Sequence, residues 1–428
     1  MPGVFYTELS AWTQASADSA NTKGVHHHLW YQHVGKALGI LLFNAGYSYD
    51  AQCRSLAFFM RVVAPNLGVF HIGGYPQPWK SFMTDDGSPV ELSWDWGTND
   101  SRPIIRYSIE PIGQKAGTAL DPLNLLVGPV LEDQLIETIP GLCLEWFYHF
   151  QEFFKGRGAN GHELVDLQDH NTSIFYAFDL TDTGTTAKVY FFPKSRAIAR
   201  NESNLEVLVQ SIKTASYSTE DNLEALSIFT DFSSDIANSG LEYEMLAIDL
   251  IDPKDSRFKI YFRCRETTLD SVVNIMTLSG RIDNPSFQQG LDDLRSLWSA
   301  LFTTCADQPL KEVRHRTAGM LYNVEFKLGD QFPIAKIYLP VRHYSSSDYT
   351  VIKGLESFFQ ARKRATYMKS YSHVMATLFD SETLAAQPGV QTYVGCSIRP
   401  NGALRLVSYF KPPLSARLTS IDKVARLS

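Results

Sequence analysis

Four short segments of this chain repeat one pattern at near-constant spacing. Ala187-Lys-Val-Tyr190, Phe258-Lys-Ile-Tyr261 and Ala335-Lys-Ile-Tyr338 share Lys-(Val/Ile)-Tyr, and Arg405-Leu-Val-Ser-Tyr409 keeps the cation and the tyrosine. Successive tyrosines lie 71, 77 and 71 residues apart. The β-branched and aromatic content of each copy reads as a strand. A second extended segment precedes each copy, at 173–180, 243–250, 320–328 and 392–398, and Ala-Phe-Asp-Leu at 177–180 recurs as Ala-Ile-Asp-Leu at 247–250. Thr181-Asp-Thr-Gly-Thr and Arg399-Pro-Asn-Gly supply turn chemistry, so each pair reads as a hairpin.

Between the hairpins the apolar period becomes helical, as in Phe287, Leu291, Leu294, Trp298 and Leu301, or Leu269, Val272, Val273 and Met276. A fifth unit opens the chain, with a helix near 29–45 and extended segments at 90–96 and 104–111. The unit is thus two helices plus a hairpin, five times over. Ten antiparallel strands in one strongly twisted sheet tend to curl, and closure removes both edges. The expectation is an α+β fold: a closed barrel of about ten strands ringed by helices, forming a single domain over 1–428, although length alone would allow two or three domains.

Composition narrows the partners. The formal charge is -7 with no basic block, which argues against nucleic acid. No apolar run approaches the length of a membrane span, and the N-terminus lacks a signal-peptide pattern, so a cytoplasmic protein is expected. The five cysteines are scattered, which suggests free, mostly buried thiols rather than a disulfide framework or a CxxC site.

Residues i and i+2 of a strand share a face. If helices cover the outside, the Lys and Tyr faces point into the lumen and several cations converge there. Such a cluster is costly unless an anion compensates it. No P-loop or G-x-G-x-x-G pattern favours a nucleotide, whereas a pyrophosphate held by side chains fits. Tyrosine faces beside the cations would stabilise a carbocation and exclude water.

Together, Pro89-Val-Glu91-Leu-Ser-Trp94, Arg106-Tyr-Ser-Ile-Glu-Pro111 and the four cation–tyrosine strands resemble the dimethylallyltryptophan synthase family of fungal aromatic prenyltransferases, from Trp30 to Pro412. The resemblance implies the ααββ prenyltransferase barrel and transfer of a dimethylallyl group from dimethylallyl pyrophosphate to an aromatic small molecule. It implies no metal or other cofactor. Under it, Glu91 looks like the acid that polarises the acceptor, and Arg106, Lys188, Arg257, Lys259, Lys336 and Arg405 like the pyrophosphate clamp. Tyr190, Tyr261, Tyr338 and Tyr409 look like the shield around the allyl cation. Arg102 competes with Arg106, which opens the matching strand and is preferred. Members that alkylate tryptophan at C4 carry a lysine where Phe175 stands, which favours an acceptor lacking an amino-acid head group. Phe175 and Trp94 are assigned to the acceptor pocket. A monomer or homodimer is expected, and the rival function is a non-catalytic barrel that binds an anionic aromatic or isoprenoid ligand.

Other signals carry less. His26, His27 and His28 are adjacent on a helix and cannot converge on one ion. His71 and His343 read as satisfied polar partners. Asp85-Asp86 and Asp292-Asp293 do not extend to Asp-Asp-x-x-Asp; the first pair reads as a turn before a strand. No G-x-S-x-G elbow supports a hydrolase.

Overall fold

A computed structural model describes residues 6–17, 24–70, 77–155, 170–282, 285–302 and 308–414. Ten strands form five hairpins: β1 (Val90–Gly97) with β2 (Ile104–Ile109), β3 (Ile174–Leu180) with β4 (Thr185–Phe191), β5 (Glu242–Asp249) with β6 (Phe258–Cys264), β7 (Met320–Phe326) with β8 (Ile334–Leu339), and β9 (Gln391–Ile398) with β10 (Leu404–Phe410). Every strand is antiparallel to its chain neighbours, and β1 pairs with β10, from Leu92 opposite Phe410, to close the barrel. The expected strands fall where the apolar alternation placed them.

Among the described residues the number of α-helices between hairpins varies from two to four. Two span the gap before β3 (Val127–Thr138, Glu145–Phe154), whereas the segment from Val341 to Ala386 before β9 holds four. They pack on the outward faces of the strands. Along β1, Val90, Leu92, Trp94 and Trp96 face this outer layer and belong to the main hydrophobic core, which the barrel wall shares with the helices. Burial of that layer is the main stabilising term for the fold. Among the described residues no helix is long and apolar enough to cross a membrane.

Tight turns close the β3–β4 and β9–β10 hairpins. Thr181 N–H donates to the Gly184 carbonyl at 2.9 Å. At the β9–β10 turn Gly402 has φ +81°, and a Cβ there would stand 2.2 Å from the Ser286 carbonyl oxygen, so both backbone hand and space require glycine. Three of the cysteines, Cys53, Cys143 and Cys264, are half-buried rather than buried; Cys396 is buried, and Cys305 lies outside the described residues.

Candidate active site

With hydrophobic residues of β1 turned outward, Glu91, Ser93 and Asp95 turn inward. The same parity on the other strands builds a polar lumen. At one level, Arg106, Lys188, Arg257, Lys259, Lys336 and Arg405 come together, as the sequence placed them, but they are not a bare cluster. Asp95, Asp179, Asp249 and Glu325 interleave with them. Arg106 pairs with Asp95 and Asp179, and Lys188 Nζ lies 2.5 Å from Asp179. Asp249 holds Arg257 Nε at 2.7 Å and Lys259 Nζ at 2.7 Å, and Arg405 Nη2 lies 2.5 Å from Asp95. Arg399 joins through Glu325 at 3.0 Å.

The register explains the alternation. Arg106 stands directly across from Asp179, Lys188 from Asp249, and Lys259 from Glu325, the arrangement in which opposite charges on neighbouring strands stabilise each other. The expectation of uncompensated cations is therefore corrected: seven basic groups face four carboxylates, so basic groups outnumber acids by three. The signal for the acids was present in the repeated Asp of 177–180 and 247–250.

Burial alone would raise the Asp95 carboxyl, but Arg106 and Arg405 outweigh it and hold the pKa at about 2. Asp179 and Asp249 are likewise kept well below the usual carboxylate range by their cations, against the effect of burial. Lys336 is the least compensated. Burial, then Arg106 and Arg405, push its pKa down to about 7, and burial brings Lys259 to about 8.

Above this ring the tyrosines form a belt. Ring centroids run 5.7 Å from Tyr190 to Tyr261, 5.8 Å on to Tyr338 and 5.5 Å on to Tyr409. Asn323 donates to the Tyr338 hydroxyl, which lies 3.1 Å from that of Tyr261. Lys336 Nζ donates to the Tyr409 hydroxyl at 2.9 Å and lies 4.3 Å from the Tyr338 ring centroid, so the belt already faces one cation. Burial raises all four phenol pKa values, so the rings stay neutral. The belt fits because β9 contributes Gly395 at this level: a Cβ there would lie 3.0 Å from Tyr409 Cε2 and 3.1 Å from Lys336 Cε.

The tyrosines floor a chamber of about 110 Å³ lined also by Glu91, Ser108, Phe82, Met83, Phe175, Met245, Leu321, Arg342 and Tyr393. Glu91 accepts a hydrogen bond from the Thr392 hydroxyl at 2.6 Å, and burial raises its pKa to about 7. Glu110 is also raised by burial to about 7; it accepts from Trp79 Nε1 at 2.9 Å and from the Ser81 hydroxyl, tying down the segment that carries Phe82 and Met83 into the chamber. A larger cavity of about 580 Å³ on the flank, lined by residues such as Leu125, Gln151 and Lys194, contains neither the acid nor the tyrosines.

Phe175 lies in the chamber, against Phe192. Trp94 does not: the assignment to the acceptor pocket is corrected, because it stands three positions on from Glu91 and the strand's parity sends it outward, where it packs edge-on against Tyr371. Arg102 is outside the lumen too, paired with Asp182 and stacked over Tyr47, which leaves Arg106 as the lumen arginine of β2. His343 hydrogen-bonds the Thr317 hydroxyl at 2.8 Å; His71 lies outside the described residues. Among the described residues, Asp85, His315 and His343 form the one group close enough to share a metal ion, at the chamber rim beside Arg342 rather than in the basic ring. Asp86 caps its turn, accepting from the Thr84 hydroxyl and from Ser88 N–H.

Comparisons with known proteins agree with this architecture. The tryptophan dimethylallyltransferase family model matches residues 26–374. The 4-O-dimethylallyl-L-tyrosine synthase of Claviceps purpurea is 34% identical over 407 residues, covering 93% of this chain and 90% of that protein. A 7-dimethylallyltryptophan synthase of Aspergillus fumigatus is 30% identical, covering 89% and 84%. The crystal structure of AnaPT from Neosartorya fischeri superposes with a TM-score of 0.80 at 23% identity, over 94% of this chain and 97% of that one. A polar lumen with an acid, a tyrosine belt and a basic ring thus stands in a barrel of known kind, and the chain belongs to the tryptophan dimethylallyltransferase family of aromatic prenyltransferases.

Proposed function

We propose that this chain, acting as one barrel unit, moves a dimethylallyl group from dimethylallyl pyrophosphate to an aromatic acceptor without a metal ion. The single observation that carries the reading is the stacking of Glu91, the tyrosine belt and the basic ring in one lumen. The donor's pyrophosphate lies among Arg106, Lys188, Arg257, Lys259, Lys336 and Arg405, with Arg399 added. Its C1–O bond breaks, and the pyrophosphate leaves with the electron pair. Preorganised cations stabilise that growing charge more than they stabilise the bound donor. The allyl cation is held against the neutral faces of Tyr190, Tyr261, Tyr338 and Tyr409. The acceptor's nucleophilic atom then forms the new bond, and its proton passes to Glu91, whose pKa near 7 suits a base at neutral pH.

The test is incubation with dimethylallyl pyrophosphate and a panel of indoles and phenols in excess EDTA, scored by mass spectrometry for C5H8 addition. Product is expected with at least one class. Glu91→Gln is expected to lose turnover by roughly 10²–10⁴-fold while binding inorganic pyrophosphate as before. Complete loss under EDTA would refute the metal-free reading, and full activity in Glu91→Gln would refute the role of Glu91.

A further inference from the structure

Resting on that reading, we propose that the end of the barrel carrying the hairpin turns is a door for the donor alone. Dimethylallyl pyrophosphate enters there prenyl end first and inorganic pyrophosphate leaves there, while the acceptor and the prenylated product use the opposite end. The layout of each hairpin sets this order. β2, β4, β6, β8 and β10 all begin at a turn. On the last four of them a lysine or arginine precedes the tyrosine, so the basic ring lies on the turn side of the belt. Glu91, the second residue of β1, lies at the other end, in the chamber.

Exposure falls along that axis. Going inward from the turn before β6, the side chain of Arg257 is 30% exposed and that of Lys259 6%, and Tyr261 is 4% exposed. A ring reached through the chamber would show the reverse gradient. Arg399 and Arg405, at the β9–β10 turn, are each 23% exposed. They line a cavity of about 500 Å³ at the rim, together with Thr98, Asn99 and Ser101 of the β1–β2 turn and Asn401. Among the described residues that line it, the charged ones are these two arginines. The rim is preformed: from outside, Arg364 donates to the Gly97 carbonyl at 3.0 Å and to the Leu404 carbonyl at 3.2 Å, fixing one hairpin against the other.

The other route is unfavourable for a pyrophosphate. Between the ring and the chamber stand four neutral tyrosine rings with centroids 5.5–5.8 Å apart, and a multiply charged anion would have to shed its water against them. At the rim it meets two guanidinium forks, which pair well with phosphate oxygens, and their positive potential steers its approach. A donor that enters prenyl end first brings C1 to the belt and leaves its pyrophosphate in the ring without turning over.

The experiment follows the exchange of inorganic pyrophosphate, which needs neither acceptor nor turnover. Stopped-flow fluorescence gives association and displacement rates for the unaltered protein, for Ser101→Trp and Asn99→Trp at the rim, and for Met83→Trp in the chamber. Narrowing a door raises a barrier that is crossed in both directions. Both rim variants are therefore expected to slow association and dissociation together, by about tenfold or more, with the equilibrium affinity kept. Met83→Trp is expected to leave both rates unchanged. Ser101→Glu is expected to slow association several-fold at low salt, because the arriving anion meets a like charge. Unchanged rates in both rim tryptophan variants overturn the proposal, as does slowing by Met83→Trp in their place. Weaker binding through faster dissociation alone overturns it too, because the rim would then belong to the binding site. Should one rim variant fail to fold, the other decides. An unaltered protein that binds no inorganic pyrophosphate overturns both this proposal and the proposed function. Failure of the proposed function alone would look different: exchange slowed at the rim as expected, yet no prenyl group transferred to any acceptor of the panel.

Discussion

Replacing Asp249 by Asn isolates the tension built into the lumen. This carboxylate holds Arg257 at 2.7 and 3.2 Å and Lys259 at 2.7 Å, with 9% of its side chain exposed. Removing one partner of a buried ion pair leaves the others uncompensated, at a cost of about 3–5 kcal/mol. For 428 residues the unfolding entropy is about 0.9 kcal/mol/K, so the thermal midpoint should fall by roughly 3–6 °C. Pyrophosphate should reverse the effect, because it brings the missing negative charge and no longer meets a carboxylate a few ångströms away. At an effective dielectric of 20 that repulsion is worth about 3 kcal/mol per charge pair at roughly 6 Å. Affinity for inorganic pyrophosphate should therefore tighten by about tenfold or more in Asp249→Asn. Differential scanning fluorimetry with and without pyrophosphate, together with calorimetric titration, reads both quantities. An unchanged midpoint with unchanged affinity would refute the reasoning, and weaker binding would show that Asp249 organises the cradle rather than competing for it.

Lys336, at about 7 in the free protein, should take up a proton as pyrophosphate binds. Below pH 7 it is already charged; above, the observed affinity should fall with rising pH, and Lys336→Met should make the slope between pH 7.5 and 9 shallower, the remainder coming from Lys259 at about 8. A wild-type slope that survives in Lys336→Met would assign it elsewhere. Gly395→Ala should press on Tyr409 and Lys336, costing about 1–3 kcal/mol of stability; turnover measured well below the new midpoint should still drop, and unchanged turnover would show the belt to be loosely held. Ionisation of Glu91 should give turnover an acid limb near pH 7, rising with pH as the carboxyl loses its proton, and a limb left in place in Glu91→Gln would assign it to another group.

The hairpins and the inward face were legible because the Lys-x-Tyr copies fix both strand and parity. Parity also contained the correction for Trp94, since an odd offset from Glu91 places it on the other face. The paired acids were harder to read. Asp179 and Asp249 sit on different strands from the cations they hold, and only the inter-strand register, set by turns and closure, reveals Lys188 opposite Asp249. Arg342 lies outside the repeat altogether. Its place in the chamber depends on the helix that caps β8, which no strand periodicity reports. Variable helix counts are invisible for a similar reason: an amphipathic turn inserted in the outer layer leaves the barrel spacing almost unchanged.

The alternation of acid-bearing and base-bearing strands stops at one hairpin. Asp95, Asp179, Asp249 and Glu325 come from β1, β3, β5 and β7, whereas β9 brings Ser397 opposite Arg405 and Lys336. A ring with full five-fold repetition would present the same field at five rotations and accept a diphosphate in any of them. The vacant acid position breaks that degeneracy. The positive potential leans towards the β8–β10 arc, so a donor held as proposed would have one preferred rotational setting, and its prenyl chain would inherit a fixed heading towards the acceptor before any aromatic contact selects it.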